Sequence, residues 1–166
     1  LLVSVMFCYI LKKEILSAAK QGAVNLHPAY LPFNRGAHPN VWSIIEETPA
    51  GVTLHTIDNG VDTGKILAQK KIAILPHDTG KTLYRRLEMA AYDLFVQFWP
   101  KLVEGKMKGQ IQSGRGSYHR VKDLHKLDEI DLDKKYTGRE LMNVLRARTF
   151  PPYRGAYFKA GGKKIL

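Results

Sequence analysis

The feature that most constrains this chain is its first run, Leu1-Leu2-Val3-Ser4-Val5-Met6-Phe7, whose apolar positions are nearly continuous instead of alternating. A strand wetted on one face alternates with period two, so this run predicts a strand covered on both faces, as in parallel sheets flanked by helices. The apolar stretch reaches Leu11, where Lys12, Lys13 and Glu14 stop it. That is well short of the ~20 apolar residues of a membrane span. The start also lacks the basic lead and small-residue cleavage site of a secretory signal, and the single cysteine, Cys8, has no internal disulfide partner. A reducing, cytoplasmic setting with no membrane attachment is expected. Because Leu1 already lies inside the apolar run, the sheet is expected to be truncated at its amino terminus.

Further along, Lys13 to Lys20 predicts a short helix, and Ala23-Val24-Asn25-Leu26-His27 alternates with period two before Pro28 ends it as a second strand. Pro32, Asn34, Gly36 and Pro39 mark a loop, and Val41 to Glu46 a short amphipathic helix. The β-rich runs Gly51–Ile57 and Ile66–Ile72, joined by the turn-prone Asp58-Asn59-Gly60-Val61-Asp62-Thr63-Gly64, predict a hairpin with a long loop. From Asp78 or Thr79 to about Val103, Leu83, Leu87, Ala90, Ala91, Leu94, Phe95 and Phe98 follow helical spacing. The polar stretch Gln110–Arg120 is expected to be a loosely ordered surface excursion. Thr137 and Glu140 form a capping box for a helix over Gly138–Ala147, halted by Phe150-Pro151-Pro152-Tyr153, and Ala156 to Leu166 is expected to begin another hairpin.

Lys and Arg outnumber Asp and Glu by 26 to 15, a net charge of +11 that attracts polyanions without naming one. The basic residues are dispersed, which a plain soluble surface would also show.

Residues two apart on a strand share a face, so Asn25 and His27 project together while Val24 and Leu26 face the core. Pro28 places the pair at a strand's carboxyl end, where open α/β sheets present their sites. On its own such a pair is more commonly a solvated one. The neighbouring text decides: Asn25-Leu26-His27-Pro28-Ala29-Tyr30-Leu31-Pro32, Arg35-Gly36 with Pro39, Gly51-Val52-Thr53, and Val61-Asp62-Thr63-Gly64. In this order and spacing the four elements closely resemble the folate-dependent formyltransferase family.

The resemblance implies an α/β, Rossmann-like fold with a mostly parallel sheet. It implies three parts: 1–125 as the carboxyl-terminal part of a catalytic domain, 126–155 as a linker with a helix, and 156–166 as the start of a further module. It makes Asn25, His27 and Asp62 the catalytic trio for transfer from 10-formyltetrahydrofolate to a primary amine, with no metal. Asn25 and His27 would donate hydrogen bonds to the formyl oxygen as negative charge gathers there, and Asp62 would favour the imidazolium and help remove the amine's proton. As a turn residue, Asp62 would need no such role. The pterin would lie between Cys8, Tyr9, Ile10, Leu11 and Leu16 on one side and Ile57, Asp58, Asn59, Gly60 and Val61 on the other. A packed core around Ile10 and Leu16 would look the same in sequence, and Gly60 is singled out for its freedom at positive φ. The remaining histidines, His38, His55, His77, His119 and His125, lack metal-ligand spacing and are expected mostly on surfaces or loops.

Three acceptor readings follow. His38-Pro39-Asn40-Val41-Trp42, Ser117-Tyr118-His119-Arg120 and Arg148 to Tyr157 are similar to sugar formyltransferases, which implies a nucleotide-linked amino sugar as acceptor and allows a homodimer. Methionyl-tRNA formyltransferase shares the Arg-Gly-x-x-Pro loop and would use the positive charge on tRNA phosphates, although it usually carries Ser-Leu-Leu-Pro where Ala29-Tyr30-Leu31-Pro32 stands. The third is a non-catalytic fragment that at most binds folate.

Overall fold

The computed structural model describes residues 1–7 and 9–166. The opening run forms β1 (Leu2–Val5), followed by α1 (Lys13–Ala18) and β2 (Ala23–His27). β1 and β2 lie parallel, Leu2 opposite Ala23 and Val5 opposite Leu26. After β2, a two-residue strand β3 (Arg35–Gly36) leads into α2 (Pro39–Ile45), begun by a proline that its first turn accommodates because that N–H has no helical acceptor. The expected hairpin is β4 (Ala50–Thr56) and β5 (Ile66–Ile72).

The α/β class is the one expected, but the sheet, in the order β1-β2-β4-β5, is mixed. β4 runs antiparallel to β2 and, as one arm of a hairpin, antiparallel to β5, so within this four-stranded sheet β1 and β2 are the one parallel pair. β1 is an edge strand whose first three residues are only half-buried, with Val5 exposed, so the two-faced cover that its composition predicted is not what it has.

The long helix is α3 (Gly80–Val103), capped by the Thr79 side chain accepting from the Thr82 N–H. Its Leu83, Leu87, Ala90, Ala91 and Leu94 are buried against Val24, Leu26, Val52 and Leu54 of the sheet. Each fully buried leucine there contributes about 1.5–3 kcal/mol, which makes this helix–sheet layer the main source of stability. Beneath the helix start, the buried Asp78 carboxylate accepts from the Arg86 guanidinium at 2.6 Å and from the Leu75 N–H at 2.7 Å.

The polar stretch expected to be loose is tied down. It contains β6 (Tyr118–His119), which pairs in parallel with β3. Gln110 bridges to Ile66, and the Gln112 Nε2 donates to the carbonyls of Asp62 and Gly64, each at 2.8 Å. Ser117 exchanges hydrogen bonds with Asn34 at 2.9 and 3.0 Å. Side-chain anchors do here what a regular ladder does elsewhere, and hydropathy does not reveal them.

Beyond it come α4 (Val121–Leu124), α5 (Gly138–Arg148) and the hairpin of β7 (Phe158–Ala160) with β8 (Lys163–Ile165). The capping box expected for α5 is present, with Thr137 accepting from the Glu140 N–H and Glu140 from the Thr137 N–H. Among the described residues no helix is long and apolar enough to cross a membrane.

Candidate active site

Strand alternation divides β2 as expected: Val24 and Leu26 enter the core, and Asn25 and His27 lie on the opposite face. The antiparallel register sets Asn25 across from His55 and His27 across from Thr53. Directly opposed residues in such a pair share a face, so β4 adds an imidazole and a hydroxyl to the same surface. The Thr53 hydroxyl donates to the Ala29 carbonyl at 2.7 Å and accepts from the Leu31 N–H at 3.2 Å, which holds the chain leaving β2 over the sheet.

Asp62 reaches this face from the β4–β5 loop. Its Oδ2 accepts from the Gly36 N–H at 2.9 Å and lies 3.5 Å from His27 Nε2. Its Oδ1 lies 3.4 Å from both Asn25 Nδ2 and His55 Nε2. Asp62 sits at φ 53°, a left-handed conformation that aspartate tolerates at a modest cost, and such strain recurs where a side chain must be aimed. The three residues singled out from the sequence, Asn25, His27 and Asp62, are thus brought together.

Two further side chains complete the cluster. His55, expected at the surface, is 2% exposed. Period-two alternation through Gly51–Ile57 was the signal for it, because it places Thr53 and His55 on one face. Asn34 is fully buried, its amide donating to Ser43 Oγ at 2.8 Å and Thr48 Oγ1 at 2.9 Å. Its main-chain carbonyl lies 3.2 Å from His27 Nε2. A carbonyl only accepts, so His27 Nε2 carries a proton and, in the neutral ring, Nδ1 holds the lone pair.

Burial lowers the His27 pKa below 6.5, and it outweighs the Asp62 charge and the Asn34 hydrogen bond, both of which raise it. The imidazolium expected from charge pairing is therefore not the resting form; the ring is neutral near neutral pH. Burial by itself would raise Asp62, yet the His55 hydrogen bond, the charge of His27 and the Gly36 N–H together hold it at about 2. Asp62 is ionised at any physiological pH.

Of the positions expected to meet a pterin, Cys8 lies outside the described residues. Tyr9 and Ile10 are 73% and 82% exposed, which overturns a packed core around Ile10, while Leu11 and Leu16 are half-buried. Ile57 and Val61 are half-buried and Asp58, Asn59 and Gly60 exposed. Gly60 is not at positive φ. Its N–H donates to Asp58 Oδ1 at 3.0 Å, and a Cβ there would collide with the Thr63 hydroxyl, so close packing and not left-handed backbone calls for glycine. The Met6 N–H bonds the Leu26 carbonyl, so the segment after β1 leaves the sheet at the end where Asn25 and His27 stand.

A family profile described as Formyl transferase matches residues 1–98, and one described as N-formyltransferase dimerization C-terminal domain matches 123–166. The chain is 35% identical over 144 residues to the dTDP-4-amino-4,6-dideoxyglucose formyltransferase of Mycobacterium tuberculosis (strain ATCC 25618 / H37Rv), a match covering 86% of this chain and 62% of that protein. It is 36% identical over 157 residues to the methionyl-tRNA formyltransferase of Myxococcus xanthus, covering 94% of this chain and 49% of that one. Among solved structures, the formyltransferase PseJ of Anoxybacillus kamchatkensis, in complex with UDP-4,6-dideoxy-4-formamido-L-AltNAc and tetrahydrofolate, matches with a TM-score of 0.71 at 44% identity, over 75% of this chain and 66% of that one. The chain spans 62% and 49% of the length of the two curated relatives.

Proposed function

The chain belongs to the formyl transferase family, and from that premise we propose that it serves formyl transfer from 10-formyltetrahydrofolate to the primary amine of a nucleotide-linked amino sugar. The observation that carries the reading is the convergence of Asn25, His27 and Asp62 at the carboxyl end of β2. The relative solved with a UDP-linked formamido sugar and tetrahydrofolate supports both the acceptor class and the donor. The exposed apolar side chains of Tyr9 and Ile10, beside that end of the sheet, suit a flat ring that would bury them against the 57–61 loop.

When bound, the donor supplies the formyl carbonyl that an amine attacks. In the resting site Asn25 Nδ2 has only long contacts, 3.3 Å to His55 Nε2 and 3.4 Å to Asp62 Oδ1, so one N–H can turn towards an oxygen that gains negative charge. His27 Nε2–H is held by the Asn34 carbonyl, which makes Nδ1 the nitrogen that accepts the amine's proton. The imidazolium so formed faces the ionised Asp62 at 3.5 Å, and that pairing favours the transfer. The same proposal includes the division into 1–125, 126–155 and 156–166, a homodimer supported by the match at 123–166, and a cytoplasmic location.

The test is to supply 10-formyltetrahydrofolate with a nucleotide-linked 4-amino sugar and, separately, with charged initiator tRNA, and to follow tetrahydrofolate release. Turnover with the sugar alone is expected. Turnover with the tRNA alone would move the acceptor to the class of the Myxococcus xanthus relative. Tetrahydrofolate binding without turnover would leave a folate-binding chain.

A further inference from the structure

Gln112 has no place in the Asn25, His27 and Asp62 scheme, yet both ends of its side-chain amide are fully engaged. Nε2 donates to the main-chain carbonyls of Asp62 and Gly64, each at 2.8 Å, and Oε1 accepts from Arg35 Nε at 3.1 Å and Nη2 at 2.7 Å. Carbonyls only accept and a guanidinium only donates, so this amide has a single consistent orientation. Arg35 is half-buried, and among the described residues its charge pairs with no carboxylate, whereas the half-buried Arg86 and Arg148 each meet one at 2.6 Å. A cation bonded to an amide oxygen polarises the amide and strengthens the bonds that its N–H groups donate. Within the loop, Gly60 and Thr63 bond to Asp58 and Lys65 to Thr56, so among the described residues it is Gln112 that holds the Asp62 main chain. Asp62 itself is left-handed at φ 53°, and its carboxylate has one short bond, from the Gly36 N–H at 2.9 Å. A carboxylate held at one point can swing about it, and a second fixed point on the main chain sets its direction. Both points trace to β3, where Gly36 takes the carboxylate and Arg35, the residue before it, holds Gln112.

We propose that Gln112 and Arg35 are a positioning pair that fixes the main chain of Asp62 from β3, so that its carboxylate is aimed at His27 and Asn25. The inference rests on the formyl-transfer reading for its kinetic consequence. The holding of Asp62 stands on the resting geometry alone. Gln112 acts through the two N–H groups of Nε2, so the demand on the side chain is specific: a donor facing the carbonyls of Asp62 and Gly64. Methionine fills the space without one. Glutamate keeps an acceptor for Arg35 but offers the carbonyls no donor. Arg35 acts through Gln112, so its contribution vanishes when the amide is gone.

The test is to compare Gln112→Met, Gln112→Glu, Arg35→Met and the double variant Arg35→Met/Gln112→Met with the unaltered full chain. Gln112→Met and Gln112→Glu should each lower kcat by about 10- to 100-fold with both KM values nearly unchanged, the size expected when a reacting group is misplaced by an ångström or less. A role limited to giving Arg35 a partner predicts instead that glutamate restores the rate. Arg35→Met should show a smaller, several-fold loss, and the double variant should lose no more than Gln112→Met, since residues acting through one contact are not additive. At neutral pH the Gly36 amide proton, held by the Asp62 carboxylate, should move upfield in both Gln112 variants as that bond loosens. Near-full kcat in Gln112→Met, parental kcat in Gln112→Glu, fully additive losses in the double variant, or an unmoved Gly36 amide proton would overturn the proposal. If the unaltered chain shows no turnover with either acceptor, formyl transfer itself is refuted, and the Gly36 proton alone then decides for or against the positioning role. If Gln112→Met does not fold, Gln112→Glu decides by the same two readouts.

Discussion

Replacing Asp62 with asparagine isolates the charge at the centre of the cluster. Asp62 is buried and its pKa falls from the ordinary 3.8 to about 2. At ~1.36 kcal/mol per pH unit, that depression contributes about 2 kcal/mol of folding stability. The sign follows from the direction. A carboxyl whose folded pKa lies below its unfolded value stabilises the fold fully above the unfolded value and loses that contribution as pH falls through the folded one. The window is therefore from about pH 4 to about pH 2. Asp62→Asn cannot titrate, so its stability lacks this segment of acid dependence, while the other carboxylates titrate alike in both proteins. Urea titrations followed by the fluorescence of Trp42 and Trp99 at pH 5, 4, 3 and 2 give the stability gap between parent and variant at each pH. The parent's advantage should shrink by about 2 kcal/mol across the window. A constant gap would refute the claim that His55, His27 and the Gly36 N–H hold this carboxylate, because any such support must appear as a proton-linked energy.

Four other outcomes are expected. His27→Ala should lower kcat by about 10²- to 10⁴-fold, the usual worth of a positioned acid–base group, and a variant with the full rate would remove His27 from the mechanism. Because burial lowers the His27 pKa and the neutral ring is the acceptor of the proton, kcat/KM should stay level as pH falls to 6.5 and decline only below it; a decline centred above 6.5 would contradict the neutral resting form. Gly36→Ala places a Cβ against the His119 carbonyl at a φ of 86°, so melting should show a loss of about 1–3 kcal/mol. Gln112→Leu removes the bonds to the carbonyls of Asp62 and Gly64 and to Arg35, and should speed amide hydrogen exchange in the 58–64 loop; unchanged exchange would show that the loop does not depend on that anchor.

How much of this was legible in the sequence depends on the distance over which each residue acts. β2, α3 and the α5 cap follow from patterns within a few residues, period two before Pro28, the leucine and alanine stripe from Leu83 to Leu94, and Thr137 with Glu140, and all three are found where expected. Asn25, His27 and Asp62 were found through ordered motifs, since no local rule joins the β4–β5 loop to β2. His55 was missed although its alternation was visible, because alternation gives the face of a strand and not its register. A shift of one residue against β2 would have set Leu54 opposite Asn25. Asn34 and Gln112 carried no signal at all: each lies in an irregular stretch, and each matters through side-chain bonds to residues 9 to 83 positions away. Polar residues in such stretches read as solvated loops, yet buried irregular backbone must find partners, and these two side chains supply them. The mixed sheet has the same origin. The apolar run of β1 reported a parallel neighbour correctly in β2, but the direction of β4 is set by the pairing of Asn25 with His55 and of His27 with Thr53, which brings the imidazole of β4 onto the face where Asp62 closes the site.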